Sequence, residues 1–348
     1  MTTLRWKSGT AYDLFISLLA LHHAATFGLR PNWAAGVRQR ISSNQREFLE
    51  LVFSFATVPL EWISTLPEPK DALPVLRRAA ALAPLDRLLT LTLPPGIPPE
   101  ALNILASHAK NRKITPEEKE YLSRTLTHRK EHLKAAELVN LLKIWADPER
   151  SGAQILVALQ EYYRAFYEEE ETRIRPVLTA GLENARQLAG RVSIPSLVEE
   201  LSRGVHFEDI SSLRELVLVP SYWSTPLVFP SDLTRGSMQI VFGCRPDIQS
   251  VAPGAETPDM LINALKAMAD PTRLRILRYL SGQPLSPTGL SHLLRLRLPT
   301  VLHHLQALRL AGLVTIRVSE TGEKQYAARS ETLDVLFSSV KKFLQEKE

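Results

Sequence analysis

The order of residues from Ala264 to Ala328 constrains the fold of this chain more than any other stretch. Two helix starts occur in it, because Asp270-Pro271 and Ser286-Pro287 each place a capping side chain before a proline suited to the first turn of a helix. A further helix is expected from about Leu298 to Leu310. Its apolar residues recur at the spacing of one helix face, and they are Val301, Leu305 and Leu308. The stretch therefore predicts several short helices around one small core.

The helix that follows Asp270 combines apolar and basic positions. The apolar positions expected in the core are Leu274, Leu277 and either Tyr279 or Leu280. The arginines left to face solvent or an anionic partner are Arg273, Arg275 and Arg278. In the next short helix the apolar residues are Leu290, Leu293 and Leu294.

A β-hairpin is predicted after the last of these helices. Leu313–Val318 and Lys324–Ala328 are rich in strand-forming residues, and they flank a polar turn at Ser319–Glu323. Such a hairpin beside two angled helices makes a winged helix-turn-helix, which sets its second helix in the major groove and its hairpin over the phosphates. Between Lys266 and Arg329 there are ten Lys or Arg and three Asp or Glu, whereas the first 250 residues are nearly neutral. The basic balance therefore lies at the end that would bind DNA.

The predicted DNA contacts lie on the outer face of the Leu298–Leu310 helix and on its flanks. They are Arg297, Leu298, Pro299, Thr300, Leu302, His303, Gln306, Arg273, Arg317 and Lys324. Base reading would depend on Thr300, His303 and Gln306, together with apolar contact to thymine methyl groups.

Two segments of this region resemble the ArsR-type (ArsR/SmtB) winged-helix regulators. Leu265–Leu277 is close to the family's first-helix signature, and Val301–Leu305 with Ala311–Val314 resembles its recognition-helix segment. Tyr326 after the hairpin turn also fits. The resemblance implies DNA-binding transcriptional regulation, usually by a homodimer that represses its promoter until an effector arrives.

The chain also departs from the family. Leu298 and Leu302 stand where family members often carry polar residues, so the outer helix face is unusually apolar. A face of this kind also fits a protein-docking surface with no DNA role. In the resembling family the first and last helices of the domain form the dimer, which implies a set of dimer-forming side chains. They are Leu261, Leu265, Leu336, Phe337, Val340, Phe343 and Leu344.

The residue inventory argues against metal sensing and catalysis. The chain has one cysteine, Cys244, which lies outside the winged helix, and it has no histidine after His304. We therefore expect no thiolate metal site, no cofactor and no disulfide, and a single cysteine fits a reducing cytoplasm. No phosphate-binding glycine loop or nucleophile elbow is present, so the protein is predicted not to be an enzyme. An N-terminal enzyme with a regulatory DNA-binding tail is the less favoured alternative.

The fold class predicted is mainly α with small β elements. Residues 1–251 would form a mostly helical domain with a β-rich part at 205–250, followed by a proline-bearing linker at 252–258 and the winged helix at 259–348. The strand-like segments would make a small antiparallel sheet, and they are Glu215–Pro220, Trp223–Phe229 and Met238–Gly243. A long helical region that ends in Leu-Val-Leu-Val-Pro-Ser before a winged helix also resembles an uncharacterised subgroup of the ArsR-type regulators.

Three features of the first 250 residues allow two interpretations each. The apolar run Leu14–Leu21 faintly resembles a signal peptide, but it is too short to span a membrane and we expect a buried helix. Tyr222-Trp223 would present aromatic rings to a small-molecule effector, or fill the space between sheet and helices. Tyr162–Tyr167 with Glu168–Glu171 would bind a cation or a basic partner in the first interpretation. In the second, which we favour, the aromatic residues form a core stripe beside a solvated acidic turn.

Overall fold

The computed structural model describes residues 2–29, 31–126, 132–234, 236–246, 259–319, 323–329 and 331–345. The predicted linker at 252–258 lies outside these residues, as does the hairpin tip at 320–322. The chain groups into two compact units. We call residues 8–23 with 32–176 the helical unit, and residues 1–7, 24–31 and 177–348 the α/β unit.

The helical unit is built almost entirely of α-helices. They are α1 (Thr10–His22), α2 (Pro31–Gln39), α3 (Ser43–Phe53), α4 (Leu60–Thr65), α5 (Ala72–Ala81), α6 (Pro84–Thr92), α7 (Pro99–Asn111), α8 (Pro116–Thr125), α9 (Ala135–Trp145), α10 (Pro148–Tyr162) and the first turns of α11 (Glu168–Ala189). Tyr163–Tyr167 is π-helical and joins α10 to α11. Helix α1 is buried along almost its whole length, which confirms the buried helix expected at Leu14–Leu21. No helix in the described part of the chain is long and apolar enough to cross a membrane.

Arg87 on α6 connects three helices of this unit. Its side chain is buried, and its guanidinium donates to the carbonyl oxygens of Ala79, Ala80, Leu82 and Gly152 at 2.7–3.0 Å. The first three carbonyls belong to the C-terminal end of α5, where a helix has few intrahelical donors and where Ala79 also accepts the backbone N–H of Leu82. Gly152 allows α10 to approach this point, because a Cβ there would lie 1.8 Å from the carbonyl oxygen of Pro84. One cation thus donates to four carbonyl oxygens of two neighbouring helices, and two of these hydrogen bonds are buried.

His22 gives the helical unit a pH dependence. Its ring stacks on Phe53 with the ring centroids 5.6 Å apart, and its Nε2 has no hydrogen-bond partner among the described residues. Burial, followed by the charges of Arg38 and His23, lowers the pKa of His22 from 6.5 to about 3. The unfolded chain binds this proton at the higher pH. Its contribution to stability is therefore complete above pH 6.5 and is lost as the pH falls towards 3.

Between pH 7 and pH 5 we expect His22 to lower the free energy of unfolding by about 2 kcal/mol. In His22→Phe this part of the pH dependence should be absent. Phenylalanine keeps the stacking on Phe53 but cannot take up a proton. Urea unfolding of both proteins at the two pH values measures the difference. The exposed His132 offers a control for the removal of a histidine, in the variant His132→Gln. An unchanged pH dependence in His22→Phe would contradict this role of His22.

The acidic run Glu168–Glu171 is exposed only in part. Glu168 and Glu169 face solvent, whereas Glu170 and Glu171 are each 7% exposed. Glu171 accepts hydrogen bonds from Tyr163 Oη at 3.0 Å and from Arg175 Nη2 at 3.2 Å. The expectation of a fully solvated acidic turn is therefore wrong for two of its four residues, because hydrogen bonds compensate their burial. The aromatic core stripe is confirmed by the burial of Tyr162, Tyr163 and Tyr167.

The α/β unit contains the remaining strands and helices. They are β1 (Thr3–Trp6), the rest of α11, α12 (Ile194–Leu201), β2 (Val205–Phe207), β3 (Glu215–Ser221), β4 (Val228–Thr234), β5 (Ser237–Gly243), α13 (Asp259–Met268), α14 (Pro271–Gly282), α15 (Pro287–Leu294), α16 (Leu298–Leu310), β6 (Val314–Val318), β7 (Lys324–Ala328) and α17 (Glu331–Gln345). The whole is mainly α with small β elements, as the fold class predicted.

The first sheet of this unit is mixed, so the predicted antiparallel sheet is wrong in topology. Its strand order is β1-β3-β5-β4, in which β1 and β5 both run parallel to β3 and only β4 pairs antiparallel with β5. Strand β4 lies at the edge and carries the chain back, which lets β5 run in the direction of β3. The run of buried residues in β3 is typical of a strand covered on both faces rather than of an alternating one.

The second sheet joins the hairpin to an earlier strand. Its order is β2-β6-β7, with β2 parallel to β6 and β6 antiparallel to β7. The predicted hairpin is present, with Ile316 opposite Tyr326. Because β2 lies within the predicted N-terminal domain, this pairing places the winged helix and the mixed sheet in one compact unit. The compact units therefore do not follow the predicted division into residues 1–251 and 259–348.

Candidate nucleic-acid interface

The orientation of α16 follows from its buried stripe. Val301, Leu305 and Leu308 are 0%, 1% and 0% exposed, and they pack with Ile276 of α14 in the core of the winged helix. Three residues at this spacing fix one helix face inwards, so the opposite face must point outwards. The core face predicted for this helix is confirmed.

The core face predicted for α14 is partly wrong. Ile276 and Leu280 are buried, and Leu277 is partly buried against the same core, but Leu274 is 47% exposed and Tyr279 is 38% exposed. The helix is rotated relative to the expectation because Ile276 takes the central core position. In α15, likewise, Leu290 and Leu294 are buried and Leu293 is exposed.

The turn that leads into α16 is formed by a left-handed residue. Arg295 ends α15 with φ 55°, and Ser291 Oγ donates to the carbonyl oxygen of Leu296 at 2.6 Å. Arg295 is exposed beside the start of α16. It was not among the predicted contacts, although a basic residue two positions before Arg297 is a visible signal for one.

The first two turns of α16 are open to solvent on their outer face. Leu298 and Leu302 are 39% and 43% exposed. The other predicted contacts exposed there are Arg297, Pro299, Thr300 and His303. The N-terminal residues of a recognition helix are the ones that reach base edges in this class of motif. The structure therefore brings the predicted contacts of this half of the helix onto one accessible surface.

The second half of α16 is occupied by internal contacts. Gln306, a predicted base reader, is exposed but its Nε2 donates to the carbonyl oxygen of Thr26 at 3.4 Å. Arg309 is buried and donates to the carbonyl oxygens of Arg203 and Ser202 at 2.8 and 2.7 Å. Burial lowers the pKa of Arg309 to about 10. Gln306 thus belongs to the part of α16 that packs within the α/β unit, which its outward spacing did not reveal.

Arg273 is also held internally, in contrast to its predicted role at phosphate. Its Nη2 donates to the carbonyl oxygen of Lys266 at 3.0 Å and lies 3.7 Å from Asp270 Oδ2. Asp270 caps α14 by accepting the backbone N–H of Arg273, and this hydrogen bond lowers the pKa of its carboxyl group. His304 Nδ1 lies 4.0 Å from the same carboxylate, and burial lowers the pKa of His304. This group of side chains therefore stabilises the junction of α13, α14 and α16.

The hairpin carries its two predicted contacts on different faces. Arg317 pairs with Gln325 across the hairpin, whereas Lys324 pairs with Val318. Since side chains alternate along a strand, Arg317 and Lys324 point to opposite sides of the sheet. Both are exposed, and neither forms an ion pair with a carboxylate of the described residues.

Tyr222 and Trp223 are core residues rather than ligand-presenting ones. They are 0% and 2% exposed, and their rings meet edge to face at 5.9 Å. The guanidinium carbon of Arg245 lies 5.6 Å from the centre of the Tyr222 ring. Of the two interpretations, a surface site for an effector is wrong, because both rings are buried, and the favoured one, in which the pair fills interior space, is supported.

The predicted dimer-forming residues divide by burial. Leu261 and Leu336 are 8% and 7% exposed and lie in the core of the winged helix, so they are not available to a partner. Leu265 on α13 and Phe337 on α17 are 44% and 59% exposed. Val340 is half-buried. The side chains of Phe343 and Leu344 lie outside the described part of the chain.

Two comparisons with known proteins bear on this surface. No curated protein matches the chain. A protein-family model described as a helix-turn-helix domain matches residues 268–317, from the end of α13 through α14, α15 and α16 into β6, so this part of the chain is a helix-turn-helix domain of the kind that DNA-binding regulators carry.

Proposed function

We propose that this protein is a transcriptional repressor of the ArsR type that binds promoter DNA in the cytoplasm as a homodimer. The observation that carries the proposal is the exposed surface of the first two turns of α16, placed outwards by its fully buried opposite face. The proposed role is regulatory rather than catalytic. The proposal goes beyond the helix-turn-helix match, because it adds a biological activity, repression, and an assembly, the homodimer.

The charges around α16 support a polyanionic partner. Exposed cations lie before the helix at Arg295 and Arg297 and on the hairpin at Arg317 and Lys324. None of these four forms an ion pair within the described part of the chain. Cations that are not neutralised internally are available for phosphate, and neutralising phosphate releases the counterions that drive non-specific DNA affinity.

Two exposed apolar side chains support the homodimer. Leu265 and Phe337 stand on α13 and α17, which pack against each other. A symmetric partner that buries them would place two recognition helices side by side. Such a dimer reads two half-sites about one helical turn of DNA apart. Sedimentation of the full chain at micromolar concentration tests this assembly, and a monomer mass would count against it.

A protein-docking surface is the second candidate function. The observation that favours it is the exposure of Leu298 and Leu302 on the same face of α16. Apolar side chains at the centre of a patch with a charged rim are also typical of protein interfaces. The two candidate functions differ in the molecule that binds this face of α16, which is DNA in the first and a protein in the second.

Salt dependence tests the proposed DNA contact. We expect Arg317→Ala and Lys324→Ala each to weaken binding on all sequences alike and to flatten the slope of log K against log salt by roughly one unit. The exposed Arg191, outside the winged helix, provides the matched control, and Arg191→Ala should leave the slope unchanged.

Replacing Thr300 or His303 should act differently from removing a phosphate contact. Either change should relax the preference at one base pair, at a cost on the order of 1–3 kcal/mol on the specific site only. Equal losses from both kinds of variant on specific and random DNA would contradict this division of roles.

A further inference from the structure

Helices α7, α8 and α9 of the helical unit line an open cavity of 460 Å³. Its apolar wall comes from α9, where Leu138 and Leu142 are buried and Val139 is 51% exposed. Ala135 and Ala146 extend this wall at the two ends of the helix. Cavities of this size are typical of sites for small organic molecules, and an apolar wall binds the hydrocarbon part of such a ligand.

The rim of the cavity is cationic. Arg112 follows the end of α7, Lys119 lies on α8 and Lys143 lies on α9, so three different elements each contribute one positive charge. In the part of the chain that the structure describes, no carboxylate lines the cavity. Among the described residues, none of the three cations forms an ion pair. The rim therefore has an uncompensated positive charge beside an apolar wall.

The neighbouring carboxylates are engaged elsewhere. Glu118 accepts the backbone N–H of Thr115 at 2.8 Å. Glu137 accepts the backbone N–H of Lys134 at 2.9 Å. Glu120 pairs with Arg124. Each of these three carboxylates thus has a partner other than Arg112, Lys119 and Lys143.

A buried histidine lies behind the wall. His108 is 9% exposed, and its Nε2 lies 3.1 Å from the carbonyl oxygen of Leu142. Its Nδ1 has no hydrogen-bond partner among the described residues. This nitrogen has almost no accessible surface, so it does not open onto the cavity, and His108 supports the wall through the Nε2 contact that joins α7 to α9.

We infer that this cavity binds an organic anion with an apolar body, such as a medium-chain carboxylate. The hydrocarbon part packs along α9 beside Val139 and Leu142, and the carboxylate faces Arg112, Lys119 and Lys143. An elongated neutral molecule would leave the three cations without a partner, and an inorganic anion would leave the apolar wall uncovered. Binding itself is independent of the proposed function, whereas a role for this anion as the effector rests on it.

Isothermal titration of the full-length protein with decanoate tests the inference. We expect one-to-one binding with a Kd below about 1 mM, and no binding of decylammonium, which has the same chain and the opposite charge. Lys119→Gln and Lys143→Gln should each weaken decanoate binding about tenfold, since each removes a charge-assisted contact. Val139→Asp should abolish it by placing a carboxylate on the wall.

The variants preserve the fold because Lys119, Lys143 and Val139 are exposed in the free protein. Lys110, also exposed on α7 but not part of the cavity, gives the matched control, and Lys110→Gln should bind decanoate like the unchanged protein. Equal binding of decanol and decanoate, equal binding by the Lys119→Gln variant, or no binding of decanoate would each overturn the inference. DNA is absent from this titration, so its failure does not affect the proposed DNA binding, which is measured separately.

Discussion

Leu302→Glu is expected to abolish specific DNA binding, with a loss of at least about 100-fold, because like charges placed together in an interface cost several kcal/mol. The substitution sets a carboxylate in the middle of the exposed face of α16, where it would meet phosphates and the negative potential of the groove. Leu302 is 43% exposed, so the glutamate side chain reaches solvent in the free protein and the fold is preserved. Fluorescence anisotropy with duplex DNA measures the affinity, and circular dichroism checks the helix content.

Val157 on α10 supplies the matched control for this change. It is 50% exposed, and Val157→Glu introduces the same charge on an element of the helical unit. We expect that variant to bind DNA within about twofold of the unchanged protein, since surface substitutions away from an interface have small effects. If Leu302→Glu and Val157→Glu bind DNA alike, the face of α16 does not contact DNA and the protein-docking function gains support.

Arg87→Met is expected to lower the free energy of unfolding by about 3–5 kcal/mol, because it removes four hydrogen bonds from a buried charged donor, two of them to buried carbonyl oxygens. Methionine retains an unbranched side chain of similar length, so the loss reports the guanidinium rather than a large cavity. The carbonyls belong to the end of α5 and to Gly152 of α10, and the change should therefore loosen the contacts among α5, α6 and α10. Urea unfolding followed by circular dichroism measures the loss.

Arg77 on α5 separates this effect from the general cost of removing an arginine. Its side chain is exposed, and Arg77→Met should change the free energy of unfolding by less than about 0.5 kcal/mol. A loss of similar size in both variants would contradict the role assigned to Arg87.

The winged helix is predictable from the sequence because its signals are local. Asp270 and Ser286 accept the backbone N–H groups of Arg273 and Gly289, as their cap-and-proline pattern indicates. The stripe of Val301, Leu305 and Leu308 needs only helical spacing to place the outer face of α16. These features depend on residues within one or two turns of each other, which a sequence displays directly.

The errors of prediction arise where distant residues decide the structure. Arg273 is basic and Gln306 has the spacing of the outer face of α16, so the sequence predicts that both contact DNA. Instead they donate to the carbonyl oxygens of Lys266 and Thr26. Glu171 is buried because Tyr163 and Arg175 supply donors. No helical or strand periodicity encodes such partners.

The prediction of the sheet topology is wrong for a related reason. Two of the three predicted strands match β3 and β5, but Trp223–Phe229 is wrong, since residues 223–226 form a turn and β4 runs from Val228 to Thr234. The strand order depends on β1, a four-residue strand near residue 3. Likewise β2, with three residues, is too short to show a period and yet joins the hairpin of the winged helix. Pairings between segments this short and this far apart leave no signal in one sequence.

Titration of the full-length protein into fluorescent DNA from the region upstream of its own gene, and into scrambled DNA of the same length, tests the central claim most directly. The measurement is made at two salt concentrations. A sequence-specific regulator binds its own region more tightly than the scrambled duplex and loses affinity steeply as salt rises. Equal affinity for both duplexes, or no binding to either, would contradict the proposed DNA-binding function.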